Sequence, residues 1–242
     1  MCEVTTLALQ FAMTGEALPF LKRGTFRPLP PDPVYGFQFH EGDGVVVGIA
    51  GTHPRFGVDS IGSVPAALLT HTLLTRFAPT RLINAGTAGG FEAKGGRVGD
   101  VYLGAEVAVF HDRRIALPGF REMGHGHFPV ACDRALAARL GLKVGIVSTG
   151  DSLDATSEDL KHLAALNAEV KEMEAAGIAW VCERHRTPLV LLKALTDLVD
   201  HAESTESQFV ENYSLAVTKL ALAPAPKAMA FVLAASAFRP KA

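Results

Sequence analysis

The segment RLINAGTAGGF, residues 81–91, decides the fold class, because it sets a short apolar run directly before a cluster of small residues. Arg81–Ala85 has the character of a buried strand. The cluster Gly86–Gly90 (GTAGG) predicts either a tight turn or a loop on which a small ligand lies, since glycine allows close approach to the backbone. Its place after a strand favours the ligand, because α/β sheets bind ligands at the carboxyl ends of their strands.

Apolar runs alternate with helical patterns on both sides of this segment. The runs that predict further strands are Thr5–Ala12, Gly44–Ala50, Val101–Phe110, Lys143–Thr149 and Pro188–Leu195. The segments that predict helices are Ser63–Phe77, Cys132–Leu140, Glu158–Leu166, Ala175–His185 and Ser204–Leu222. This alternation predicts an α/β fold with a parallel or mixed sheet. The Pro-rich stretch Arg27–Tyr35 predicts a stiff surface loop, and no repeat or long linker divides the chain, so we expect a single domain over residues 1–242.

Composition narrows the classes of function. The 242 residues carry 23 basic and 25 acidic side chains, a net charge of −2 that gives no support to nucleic-acid or anionic-membrane partners. The longest late apolar run, Ala228–Phe238, is too short to cross a bilayer. The three cysteines form neither a disulfide framework nor a zinc cluster, which suits a reducing compartment. We therefore expect a cytoplasmic protein.

Common cofactor and metal motifs are missing from the sequence. Neither G-x-G-x-x-G nor G-x-x-x-x-G-K-[ST] occurs, and there is no G-x-S-x-G or H-E-x-x-H. His125 and His127 have no carboxylate or cysteine beside them, so they predict a surface loop rather than a metal site. The segment His111–Arg114 (HDRR) fits a phosphate clamp, a surface ion network or a loop-ordering cluster, of which the last two are favoured. No metal and no cofactor are expected.

Carboxylates in apolar or small surroundings are the best candidates for chemistry. Glu16 follows the first strand, Glu172 and Glu174 flank a methionine, and Asp197 ends a predicted strand. Burial raises the pKa of such groups and makes proton donation near neutrality possible. Asp197 also fits a turn cap, and Glu174 fits the first turn of a helix, where the dipole favours it. The residues alone thus indicate an α/β enzyme with a carboxylate site.

Seven segments in order resemble the 5′-methylthioadenosine nucleosidase family, within the purine nucleoside phosphorylase superfamily. They are residues 12–16 (AMTGE), 84–91 (NAGTAGGF), 98–101 (VGDV), 110–112 (FHD), 148–152 (STGDS), 170–174 (VKEME) and 194–197 (ALTD). Two more, residues 57–65 and 111–114, look most like the plant-type branch. Each block is weak by itself, but the ordered set spans about residues 5–215.

The resemblance implies a central twisted mixed β-sheet, partly closed like a barrel and flanked by helices. It also implies a homodimer whose sites lie near the interface. The implied reaction is hydrolysis of the N-glycosidic bond of a small-molecule nucleoside, 5′-methylthioadenosine, to adenine and 5-methylthioribose, without a metal or an organic cofactor.

Residue by residue, the resemblance implies a division of labour. Glu16 deprotonates the attacking water, and Asp197 protonates N7 of the departing adenine. Glu174 binds the ribose hydroxyls, Met173 packs on the ribose, and Thr87 faces the ribose and the water.

The remaining substrate contacts follow from the same resemblance. Lys171 and Glu172 are expected to line the site from the same segment as Met173. Leu153 falls where the family contacts the purine, at a position that is often aromatic in bacterial members. Met13 and Phe209 are expected at the 5′ end of the substrate.

The 5′ end also bears on substrate choice. The Val109–Phe110 region of a second subunit is expected there, and the loop His201–Thr205 is expected to close over the substrate. Met13, Phe209 and the Val109–Phe110 region are apolar and cannot pair with a charged tail. We therefore expect weak or no action on S-adenosylhomocysteine.

Two alternatives remain at this point. A purine nucleoside phosphorylase would use phosphate, which needs several cationic or backbone donors near the sugar. Lys22 and Arg23 are the nearest cations after Glu16, and a carboxylate aimed at the nucleophile repels phosphate, so hydrolysis is favoured. A binding or storage protein of the same fold would be expected to lack one of the acid or base carboxylates, and this chain keeps them.

Overall fold

A computed structural model describes residues 7–42 and 44–223 of the chain. Within these residues, ten strands form one sheet. The strands are β1 (Leu7–Phe11), β2 (Arg27–Leu29), β3 (Gln38–Gly42), β4 (Val45–Ile49), β5 (Leu82–Gly90), β6 (Val101–Phe110), β7 (Phe128–Pro129), β8 (Lys143–Thr149), β9 (Val170–Glu172) and β10 (Leu189–Leu198). The helices are α1 (Thr14–Leu21), α2 (Ser63–Phe77), α3 (Phe120–His125), α4 (Arg134–Arg139), α5 (Ser157–Ala165), α6 (Ala175–His185) and α7 (Thr205–Leu222).

The sheet is mixed and partly closed, as expected. Its strand order is β10-β6-β8-β9-β5-β1-β4-β3-β2, and β10 also pairs with β5, so five strands form a closed ring. Strand β5 is the junction: its first half pairs with β1 and its last two residues pair with β9. Strand β10 runs parallel to β5 along the whole of β5. The ring closes beside the carboxyl end of β5, which brings β9 and β10 together there.

Helices cover both faces of the sheet. Side chains alternate between these faces along each strand, so one strand contributes to two cores. On β10, Leu191 points into a core that includes Leu69 of α2 and Ile178 of α6. The next residue, Leu192, belongs to a second core with Leu220 of α7. Both faces are therefore buried, which explains why the central strands read as continuous apolar runs.

The glycine cluster Gly86–Gly90 belongs to β5, so the expectation of a turn or loop is wrong. The strand continues because the small residues admit neighbours from β10 at short range. A Cβ on Gly89 would lie 2.5 Å from Asp197 Oδ2, and a Cβ on Gly90 would collide with Leu195. The glycines of β5 therefore allow β10 to pack closely against them. A ligand, the other alternative, would lie in the cavity beside this strand.

Each predicted element is present, and four of the eleven, β6, β8, α2 and α6, have the predicted bounds. The helix expected over Cys132–Leu140 begins at Arg134, because Asp133 caps it by accepting a hydrogen bond from Leu136 N at 2.9 Å. Helix α1 and strands β3, β7 and β9, together with α3, were not predicted, since each is short.

The stretch Arg27–Tyr35 is not entirely loop, because its first three residues form β2. Pro28 fits there, since β2 is the edge of the sheet, where a missing N–H group is tolerated. The start of the predicted strand Thr5–Ala12 and the run Ala228–Phe238 lie outside the described residues. Among the residues that are described, no helix combines the length and the apolar character that a membrane span requires.

Candidate active site

A cavity of about 190 Å³ opens where β5, β9 and β10 converge with the N-terminus of α1. All ten residues that the sequence analysis assigned to a site line it: Met13, Glu16, Thr87, Leu153, Lys171, Glu172, Met173, Glu174, Asp197 and Phe209. The tertiary fold thus joins residues from six separate segments of the chain.

Glu16 is buried at the start of α1 and is held on both carboxylate oxygens. Its Oε1 accepts hydrogen bonds from Thr87 N at 2.6 Å and Thr87 Oγ1 at 2.8 Å, and its Oε2 accepts one from Met13 N at 3.1 Å. Burial raises the pKa of Glu16, although the Thr87 bonds and the Lys193 charge oppose the shift. A fixed carboxylate with a raised pKa suits a proton acceptor that works near neutrality.

Asp197 lies inside β10 opposite Gly89 and is 2% exposed. Its Oδ1 accepts a hydrogen bond from Thr196 Oγ1 at 2.6 Å, whereas its buried Oδ2 has no hydrogen-bond partner among the described residues. Burial raises the pKa of Asp197, and the charge of Lys171 partly offsets this. Asp197 is therefore neither a turn cap nor a satisfied core group, because a buried orphan oxygen beside a cavity calls for a ligand partner.

Glu174 precedes α6 but does not cap it with its side chain. Its Oε1 accepts a hydrogen bond from Gly62 N at 3.0 Å. Burial, reinforced by the nearby Glu172 charge, raises the pKa of Glu174 to about 8. The alternative place for Glu174, the first turn of the helix, is off by one residue, since Glu174 is the N-cap of α6; its carboxyl group is turned to the loop before α2 and lines the cavity.

Glu172 is the most heavily bonded of the carboxylates. It receives hydrogen bonds from the backbone N–H groups of Glu174 and Ala175, from Thr149 Oγ1 and from Lys193 Nζ, the last at 2.8 Å. Burial raises its pKa, but the Lys193 charge and these bonds outweigh burial and keep the pKa below its ordinary value. Glu172 thus lines the cavity as an ionised support of the segment that carries Glu174.

Lys193 is a buried charged residue beside these carboxylates that the sequence analysis did not single out. It is 1% exposed on β10, and the charges of Glu172 and Glu174 raise its pKa against the opposing effect of burial. The signal was present, because Lys193 is the only charged residue in the apolar run PLVLLKAL, and a buried lysine needs a paired carboxylate. Its partner is far away in sequence, so only the fold identifies it.

Lys171 and Leu153 form the wall expected to face a purine. Lys171 Nζ donates hydrogen bonds to Ser152 O at 2.6 Å and Leu153 O at 3.0 Å, which fixes the backbone of this wall. Burial lowers the pKa of Lys171. The Leu153 side chain is 37% exposed, and it offers an apolar surface without an aromatic ring.

The cavity lining also includes large apolar side chains. They are Met13, Phe209 and Ile61, the last of which the sequence analysis missed. Val109 and Phe110 are each 1% exposed and lie in the core of their own chain, so their expected role in the site of a second subunit is not supported by their burial.

The loop expected to act as a lid, His201–Thr205, is exposed and ends in the cap of α7. Ser204 Oγ accepts a hydrogen bond from Ser207 N, and Gln208 Nε2 donates to Glu203 O at 2.9 Å. These bonds join the loop to the helix that carries Phe209.

The segment His111–Arg114 orders loops. His111 is buried, with Nδ1 3.0 Å from Ser148 Oγ, and Arg114 forms an ion pair with Asp159 at 2.6 Å. Burial lowers the pKa of His111 to about 4. The phosphate clamp is thereby disfavoured. Within residues 7–42 and 44–223, no group of three or more His, Cys, Asp or Glu side chains is arranged to hold a metal ion.

Comparison with known proteins identifies the family. The sequence model described as the phosphorylase superfamily matches residues 6–223. A 5′-methylthioadenosine nucleosidase of Arabidopsis thaliana is 37% identical over 90% of this chain and 84% of its own length. A 5′-methylthioadenosine/S-adenosylhomocysteine nucleosidase of the same plant is 36% identical over 90% of this chain and 88% of its own length.

Solved structures give the same result. The apo structure of Arabidopsis thaliana 5′-methylthioadenosine nucleosidase superimposes with a TM-score of 0.89 at 33% identity, and the match covers 97% of this chain and 98% of that one. The family model, the sequence relatives and the superimposed structure agree, and this chain therefore belongs to the phosphorylase superfamily and, within it, to the 5′-methylthioadenosine nucleosidases.

Proposed function

We propose that this protein hydrolyses the N-glycosidic bond of 5′-methylthioadenosine to give adenine and 5-methylthioribose. The observation that carries the proposal is the presence, in one cavity, of two buried carboxyl groups with raised pKa values, Glu16 and Asp197. The two Arabidopsis thaliana relatives described above are nucleosidases for this substrate.

Asp197 is the proposed general acid. Adenine is a poor leaving anion, so it must gain a proton as the bond from its N9 to C1′ of the ribose breaks. The orphan Oδ2 of Asp197, with a pKa raised by burial, is suited to carry that proton to N7. Lys171, which lowers this pKa by its charge, then stabilises the carboxylate that remains.

Glu16 is the proposed general base. A water molecule attacks C1′, its oxygen forms the new bond, and its proton passes to Glu16. The hydrogen bonds from Thr87 and Met13 hold the carboxylate in one orientation for this transfer. After product release, Asp197 regains a proton from solvent and Glu16 loses one, so the cycle balances.

Glu174 is the proposed ribose ligand, with Met173 packed on the sugar. The raised pKa of Glu174, about 8, leaves its carboxyl group protonated near neutrality, so it can both donate hydrogen bonds to the ribose hydroxyls and accept them. Glu174 lines the cavity with one oxygen fixed by Gly62 N, which leaves the other for the ribose hydroxyls.

Phosphorolysis is disfavoured by the state of the nearby cations. Lys171 and Lys193 are the two lysines close to these carboxylates, and both are already engaged, with backbone carbonyls and with Glu172. The Lys22 and Arg23 side chains follow the end of α1 and are exposed. Phosphate would thus find neither of these cations free near the sugar.

Adenine release from 5′-methylthioadenosine, measured with and without added phosphate, tests the reaction. We expect release without phosphate, and strict dependence on phosphate would establish the phosphorylase instead. E16Q and D197N should keep the fold and lose most turnover, at about 10²-fold or more each, because each removes a proton-transfer group of nearly constant size. Exposed Glu183 provides the matched control, E183Q. Binding of the nucleoside without release of adenine by wild type would establish a storage protein.

The apolar 5′ end supports a preference for 5′-methylthioadenosine over S-adenosylhomocysteine. Met13, Ile61 and Phe209 suit a methylthio group, whereas the ammonium and carboxylate of a homocysteine tail would need paired charges or water. We expect kcat/KM to be at least about 10-fold higher for 5′-methylthioadenosine, since one buried unpaired charge costs more than 1.4 kcal/mol. Equal values for the two nucleosides would contradict this preference.

A homodimer is proposed for the assembly. An apolar groove between α2 and α6 is lined by residues that include Val64, Leu68 and Trp180, and the Val64 side chain is 67% exposed. Exposed apolar surface of this kind marks interaction sites. Analytical ultracentrifugation should give twice the chain mass, and V64D should shift the protein toward the monomer. A fully active wild-type monomer would contradict the proposal.

Residues 1–242 are proposed to fold as a single nucleosidase domain in the cytoplasm. The continuous sheet supports one unit, and the free thiols of Cys132 and Cys182 suit a reducing compartment. A single cooperative unfolding transition tests the first point, and two transitions would contradict it. Cell fractionation tests the second.

A further inference from the structure

The loop that precedes α2 links the two halves of the proposed site. At its end, Ile61 lines the cavity and Gly62 N donates the hydrogen bond that fixes Glu174 Oε1. Near its middle, Asp59 Oδ1 accepts hydrogen bonds from Thr14 N at 3.2 Å and Thr14 Oγ1 at 3.0 Å, at the start of the helix that carries Glu16. The position of this loop therefore bears on both carboxylates.

Asp151 fixes the end of this loop. Its Oδ1 accepts a hydrogen bond from Ser63 N at 2.7 Å, and its Oδ2 accepts one from Ser63 Oγ at 2.6 Å. Gly62 has a φ of +102°, and a Cβ there would lie 3.0 Å from Asp151 Oδ1. The turn is thus bound tightly to Asp151 and takes a conformation that favours glycine.

Asp151 is in turn held by the sheet. Strands β6 and β8 run parallel with Phe110 opposite Thr149, so the residues that follow them meet at one edge. There Asp112 Oδ2 accepts a hydrogen bond from Asp151 N at 3.1 Å. The chain of contacts runs from the rigid sheet through Asp151 to the Gly62–Ser63 turn.

We propose that Asp151 is a positioning residue for the nucleosidase reaction, which acts on Glu174 through the Gly62–Ser63 turn. Glu174 depends on this turn because the hydrogen bond from Gly62 N is the one its carboxyl group makes among the described residues. Asp151 itself makes no contact with the substrate in this scheme. The inference rests on the proposed function, since it concerns the ribose contact of Glu174.

The test is a double-mutant cycle on adenine release, with D151A, E174Q and the double variant. D151A should lower kcat/KM by about 10- to 100-fold, because a displacement of about 1 Å in a positioning group has an effect of that size. In the E174Q background, D151A should change kcat/KM by less than about 2-fold, since residues that act through one another are not additive. D151N should recover most activity, because its Oδ1 still accepts from Ser63 N.

Asp133 supplies the matched control, because it is also an aspartate that accepts a backbone N–H at a helix N-terminus but lies away from the cavity. D133A should weaken the fold without changing kcat/KM. Activity of D151A equal to that of D133A, or a full effect of D151A in the E174Q background, would overturn the proposal. If D151A does not fold, the same cycle with S63A decides, with an expected loss of about 3-fold from one missing hydrogen bond.

Failure of the proposed function is separately visible, because wild type would then release no adenine. In that case, crystal structures of wild type and D151A still test the positioning. The distance from Gly62 N to Glu174 Oε1 should exceed 3.5 Å in D151A, and an unchanged distance would overturn the inference.

Discussion

Replacement of Glu174 by glutamine should stabilise the protein more strongly as the pH rises. In the folded protein, burial and the Glu172 charge raise the pKa of Glu174 from 4.5 to about 8. Between these pH values the unfolded chain loses the proton and the folded chain keeps it, so wild type loses stability as the pH increases. Below pH 4.5 both states are protonated and no such loss exists, whereas above pH 8 the loss is complete.

The magnitude follows from the two pKa values. At about 1.36 kcal/mol per pH unit, the full shift corresponds to about 5 kcal/mol in the free energy of unfolding. At pH 5.5 the loss is about 1 kcal/mol, and at pH 7.5 it is about 4 kcal/mol. E174Q has no proton to lose, so the difference between E174Q and wild type should grow by about 2–3 kcal/mol between these two pH values.

Urea denaturation of both proteins at pH 5.5 and 7.5, at one fixed protein concentration, measures this difference. Any constant effect of the glutamine side chain cancels between the two pH values, and so does the contribution of Asp197, whose pKa shift does not involve Glu174. E183Q, on the exposed side of α6, is the control. A difference that stays constant or shrinks with rising pH would refute the reasoning, whereas lower adenine release by E174Q would show that the site trades stability for catalysis.

Three further predictions concern the neighbours of these carboxylates. K193M should lower the free energy of unfolding by about 3–5 kcal/mol in urea denaturation, because it leaves a buried carboxylate without its cation; a loss no larger than that of the exposed control K219M would contradict the ion pair's importance. G89A should abolish most adenine release, since the added Cβ would lie 2.5 Å from Asp197 Oδ2; activity near that of wild type would mean that the strand yields there. K171M should move the basic limb of the kcat/KM pH profile to higher pH, because loss of a nearby positive charge raises the pKa of Asp197 further; an unmoved limb would assign that limb to another group.

The sequence by itself determined the class of fold and predicted ten residues that line the cavity. Elements with strong local periodicity, such as β6, β8, α2 and α6, have the bounds that their residues predict. The ordered motifs contain eight of the ten predicted residues that line the cavity, whereas Leu153 directly follows a motif and Phe209 lies outside them.

What the tertiary structure alone decided depends on pairs that are distant in the chain. The run Gly86–Gly90 is a strand because β9 and β10 pair with it, and no local pattern reveals those partners. In the same way, Lys193 meets Glu172, and Gly62 meets Glu174 across 112 positions of sequence. Local periodicity indicates which face of an element is buried. The residues that pack against that face are set by sheet closure and packing. The hydrogen bonds and charges that shift the pKa values of the carboxyl groups therefore appear only in the folded chain.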